Sequence, residues 1–82
     1  MYKLYLDDWR SPPDDTWIVA RSYDEAVKIM LEKGCPNIMS FDFHLTSKPN
    51  GKNGLDVARW IVTQDKKTGF IPSGFQFSVH SS

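Results

Sequence analysis

Ser22–Lys33 reads as a helix closed at both ends, and it lies between two short apolar runs, Trp17–Ala20 and Ile38–Phe41. Ser22 with Glu25 three residues on is a capping-box pattern. Tyr23, Ala26, Val27, Met30 and Leu31 follow the spacing of one buried stripe. Gly34 suits a left-handed turn after the last helical residue, and Pro36 prevents resumption. The order there is strand, helix, strand. The flanking segments extend this order. Tyr2–Leu6 is a first strand, expected to be central, and Phe75–Val79 alternates as a last one. Leu55–Gln64 is a second helix, with Asn53 as N-cap and Asp56 in its first turn. Its apolar residues cover more than one stripe. The whole predicts a small α/β domain with a mostly parallel sheet of about four strands and helices.

The connections are polar. Trp9–Thr16 contains Pro12-Pro13 and Asp14-Asp15, which exclude a helix interior. This link is slightly shorter than the usual parallel crossover, so the direction of the second strand is left open. Thr46–Asn53 carries Pro49-Asn50-Gly51 and reads as a loop placed to act as a flap. Asp65–Gly74 reads as a solvated connection.

A chain of 82 residues builds one core, so residues 1–82 are read as a single domain. Ten basic and ten acidic side chains cancel. Nothing therefore steers the whole molecule toward nucleic acid or an anionic membrane, and a nucleic-acid substrate would have to be recognised locally. The single Cys35 excludes an internal disulfide and fits a reducing compartment. No apolar run approaches a membrane span, and the N-terminus lacks a signal-peptide layout. A cytoplasmic, soluble protein is expected.

Chemistry-bearing residues collect where strands end: Asp7-Asp8-Trp9-Arg10, Asp42-Phe43-His44 and His80-Ser81. Open parallel sheets bind ligands outside the carboxyl ends of their strands, so these three ends are read as one site. Asp42 and His44, two residues apart on extended chain, point to the same side. Asp7, Asp8 and Asp42 can hold a hard cation such as Mg²⁺ through carboxylate oxygens. Alternatively, a carboxylate such as Asp42 orients a histidine, with His44 and His80 as general base and acid. Arg10 offers a planar fork for phosphate oxygens, and Ser81 a neutral donor. This set suits phosphate-ester hydrolysis or transfer. P-loop, GxGxxG, GxSxG and HExxH patterns are all lacking.

Four segments, Leu6-Asp7-Asp8-Trp9-Arg10-Ser11-Pro12, Ser40-Phe41-Asp42-Phe43-His44-Leu45, Asn53-Gly54-Leu55-Asp56-Val57-Ala58 and Val79-His80-Ser81, resemble in order the motifs of the cyclic-phosphate processing receiver family. That family is a divergent branch of the receiver fold, found in bacteria and their phages. The resemblance covers nearly the whole chain. It implies a receiver-like (flavodoxin-like) three-layer fold and a phosphoesterase acting on cyclic or terminal phosphates of RNA or nucleotides. Three departures stand out. The family usually has Asp-His-Asp where this chain has Asp42-Phe43-His44. It usually continues past the His-Ser motif, so the last strand and helix are expected to be lacking here. Ordinary receivers also carry a Lys after a fifth strand, so a phosphorelay role is disfavoured. The alternative is a non-catalytic module that binds phosphate or a protein. An uncovered apolar face including Phe75 or Phe77 is expected beside the last strand, with a homodimer or protein partner covering its edge.

Overall fold

In the computed structural model, residues 2–42 and 54–80 are described. The elements are β1 (Lys3–Leu6), β2 (Trp17–Ala20), α1 (Tyr23–Lys33), β3 (Ile38–Asp42), α2 (Gly54–Thr68) and β4 (Gln76–His80). All three strand pairings are parallel, in the order β2-β1-β3-β4. This is the start of the flavodoxin-like order, whose ligand site lies between β1 and β3. β1 is internal, as expected, and the helix-free link of residues 7–16 does bring β2 back parallel. Short strands make this possible. Returning along four residues requires only about 13 Å, well within the reach of ten extended residues.

Alternation along the strands sorts their side chains into two faces. Leu4 and Leu6 stand in register with Met39 and Phe41 on one side and with Ile18 and Ala20 on the other. Together with Ala26 and Met30 of α1 and Val57 and Ile61 of α2 they form the core. Both helices therefore cover this one face. Handedness gives the reason: the β2–β3 and β3–β4 crossovers run in the same direction, and right-handed crossovers in the same direction lie on the same side. The link that runs the other way, β1 to β2, contains no helix. Among the described residues the arrangement is thus two layers, where three were expected.

Capping and packing differ in detail from the pattern in the sequence. The Glu25 amide donates to Ser22 Oγ at 3.1 Å, but the Glu25 carboxylate accepts from the Arg21 amide at 2.6 Å rather than from Ser22. Gly34, at φ 84°, donates its N–H to the Met30 carbonyl and ends α1. Leu31 is 70% exposed, contrary to the expected stripe. The helix is rotated so that Ile29, on the other side of Met30, packs against the core instead. α2 runs four residues beyond Gln64, through Asp65–Thr68. That turn buries no apolar side chain and so left no periodic signal, while Lys66 and Lys67 complement the negative end of the helix dipole. Only Gly54, Val57 and Ile61 of α2 are buried, so Leu55 and Val62 lie outside its stripe and are exposed.

Gly54 is required where α2 begins. A Cβ there would lie 2.5 Å from a ring carbon of Phe41 and 2.6 Å from the Asp42 carbonyl oxygen. The missing side chain lets α2 start directly against the end of β3. At the other side of the sheet β4 is an edge strand, with Phe77 60% and Val79 53% exposed. Phe77 accordingly belongs to an open apolar surface, whereas Phe75 packs against the core. No helix among the described residues is long and apolar enough to cross a membrane.

Candidate functional site at the carboxyl ends of the strands

The face without helices carries Tyr5 and Asp7 from β1 and its end, Ser40 and Asp42 from β3, and His80 from β4. Each pair is spaced by two residues, as one side of a strand requires. Asp7 is fully buried. One of its oxygens, Oδ1, accepts the backbone N–H of Trp9 and of Arg10, each at 2.9 Å. The other, Oδ2, accepts Arg10 Nη1 at 2.7 Å and His80 Nε2 at 2.9 Å. A carboxylate has about four acceptor positions, so Asp7 is saturated. Burial by itself would push its carboxyl up. The two backbone N–H groups, then the Arg10 and His80 side chains, outweigh that and hold it well below the usual carboxylate range.

His80 reaches Asp7 from two strands away. Its register partner on β3 is Asp42, and its ring crosses β3 over the small Ser40 to stack on Tyr5, with centroids 4.5 Å apart and planes 7° apart. Nδ1 lies 2.7 Å from Ser40 Oγ. An ionised Asp7 only accepts, so the proton facing it sits on Nε2, and in the neutral ring Nδ1 accepts from the Ser40 hydroxyl. Tyr5, nearly buried beneath His80 and edge-on to Trp17, forms the floor.

Arg10 bridges the carboxylates. Nη1 lies 2.7 Å from Asp7 and 3.4 Å from Asp42, and no hydrogen bond among the described residues engages Nε or Nη2. Its guanidinium also lies over the Trp9 ring, 4.8 Å from the centroid. The loop behind it is pinned by Arg21, whose Nη1 donates to the Asp7 carbonyl at 3.2 Å and the Arg10 carbonyl at 2.6 Å.

Asp7, Asp8 and Asp42 offer oxygens within 4.8 Å of one another. The donor set nevertheless fits a resident cation poorly as it stands. Asp7 has no free acceptor position, and Arg10 already supplies positive charge between Asp7 and Asp42. A metal ion would have to displace Arg10 or His80 from Asp7.

Five residues named from the sequence, Asp7, Asp8, Arg10, Asp42 and His80, therefore meet at one end of the sheet. His44, Ser81 and the expected flap lie outside the described residues. Ser40, Tyr5 and Arg21 were missed. Ser40 and Tyr5 had a readable signal, since each lies two residues before a site aspartate on the same side of its strand. Arg21 acts through backbone carbonyls and left no such trace.

A parallel sheet in the order 2-1-3-4, with carboxylates at the β1/β3 switch point, defines a receiver-like α/β domain. The chain belongs to the cyclic-phosphate processing receiver domain family, whose model matches residues 2–82. Neither a curated protein nor a solved structure was found to match it.

Proposed function

We propose that this protein is a cytoplasmic phosphoesterase that processes cyclic or terminal phosphates of RNA or nucleotides. The observation that carries the reading is the convergence of an imidazole and a guanidinium on one oxygen of buried Asp7. Phosphate oxygens bind the Nε and Nη2 edge of Arg10, which no hydrogen bond among the described residues engages, in the geometry a guanidinium fork offers. A phosphate so placed lies beside His80. As a general acid the protonated ring gives its Nε2 proton to the leaving oxygen and becomes neutral imidazole, and the Nε2 hydrogen bond to Asp7 breaks in that step. In the resting site Asp7 orients the ring through Nε2. Asp42 keeps Arg10 in place from the second side. No step is assigned to a metal ion.

A second reading has its own support. Both ring nitrogens of His80 and all four acceptor positions of Asp7 are already engaged within the protein. Such a cluster also suits a phosphate-binding module that performs no chemistry. Turnover of a nucleoside 2′,3′-cyclic phosphate, with and without Mg²⁺, separates the two. For an enzyme, His80→Ala lowers kcat by about 10²–10⁴-fold, the usual size of an acid–base contribution. Arg10→Ala acts mainly on KM. Phosphate binding without turnover, insensitive to His80→Ala, leaves the module.

A further inference from the structure

Trp9 is 68% exposed, although indole is the largest apolar side chain and the other two tryptophans are packed. Trp17 meets Tyr5 edge-on and lies under Lys3, and Trp60 is edge-on to Phe70. Trp9 alone among them presents its ring to solvent, and it does so one residue from the arginine of the site.

Its backbone is fixed rather than loose. The Trp9 N–H is held by Asp7 Oδ1 at 2.9 Å, and the carbonyls of Asp7 and Arg10 on either side are held by Arg21. The Arg10 guanidinium lies over the ring, 4.8 Å from its centroid. Arg10 is itself tied to Asp7 and Asp42. The indole thus has a defined place relative to the cation that meets the phosphate, and most of its surface is open. An aromatic platform beside a guanidinium is the arrangement that single-stranded nucleic acid and nucleotides use, with a base on the ring and a phosphate on the cation.

We infer that Trp9 is a base-stacking subsite, so that the site takes cyclic or terminal phosphates that carry a nucleobase in preference to the bare sugar phosphate. This rests on the phosphate-processing reading above. Stacking on an indole face uses no hydrogen-bond pattern, so the subsite accepts any of the four bases while rejecting baseless esters. It acts in binding rather than in proton transfer, and its effect belongs in KM.

The test uses two probes, a nucleoside 2′,3′-cyclic phosphate and methyl riboside 2′,3′-cyclic phosphate, which lacks the base. Binding and, where present, turnover are measured for the whole chain, for Trp9→Ala and for Trp9→Tyr, with circular dichroism to confirm folding. Trp9→Ala is expected to weaken the nucleotide by roughly 5–150-fold, the range that stacking on one base spans, with kcat unchanged. The baseless ester should be unaffected, and Trp9→Tyr should retain most of the affinity. Equal binding of the two probes by the unsubstituted chain, or equal losses for both in Trp9→Ala, overturns the inference and leaves the phosphate-processing reading standing. Failure of the unsubstituted chain to bind either probe overturns both.

Discussion

The two faces of the sheet use the same strands for opposite purposes. On the helix-covered face Leu4, Leu6, Met39 and Phe41 are buried against α1 and α2, and the face is apolar throughout. On the other face Tyr5, Ser40, Asp42 and His80, with Asp7 just beyond β1, build a hydrogen-bonded and stacked cluster with no helix above it among the described residues. The first face is held by area removed from water, which is indifferent to direction. The second depends on direction, since Asp7 is buried as an ion and is tolerated only because four donors meet it. Carboxylates and an imidazole can occupy this face because the β1–β2 link contributes no helix to it.

The largest expected effect breaks the second face without touching the first. Ser40→Leu fills the space over which the His80 ring crosses β3. Under the enzymatic reading, turnover should fall about 10²–10⁴-fold, as for loss of the imidazole itself, while Ser40→Ala leaves the path open and costs far less. Near-normal turnover in Ser40→Leu would show that His80 does not need this position. Breaking the first face affects folding instead. Leu4→Ala, at a fully buried position, should lower unfolding free energy by about 2–5 kcal/mol in urea titrations. A loss below about 1 kcal/mol would mean that the core between sheet and helices is looser than its burial indicates.

The smallest effect sharpens the contrast through pH. The Asp7 carboxyl is held below its usual range in the folded chain. Its ionised form therefore favours folding at pH values above the unfolded pKa, near ~4, and this contribution is lost as pH falls toward the lower folded value. Asp7→Asn should be less stable than the parent chain at neutral pH. The difference should shrink below about pH 4, when measured by chemical unfolding across that range. A difference independent of pH would show that Asp7 acts through shape rather than charge. Core substitutions such as Leu4→Ala should show no such convergence.

Much of this was legible along the chain. Capping residues, apolar spacing and turn residues marked both helices and all four strands. The rule that parallel sheets present their carboxyl ends together placed Asp7, Asp8, Arg10, Asp42 and His80 in one cluster. Those features are local, or follow from topology once the elements are known. The rotation of α1 that exposes Leu31 and packs Ile29 depends on which side of the helix meets the sheet, and both choices satisfy the same periodic pattern. The last turn of α2 holds no apolar residue and was invisible to periodicity. The direction of β2, undecided by a link of intermediate length, was settled by pairing with β1. The hydrogen bonds that saturate Asp7, the passage of His80 over Ser40 and the place of Arg10 between two aspartates join residues up to 73 positions apart. Composition and spacing name such groups, but only the packed sheet brings their atoms within hydrogen-bond range.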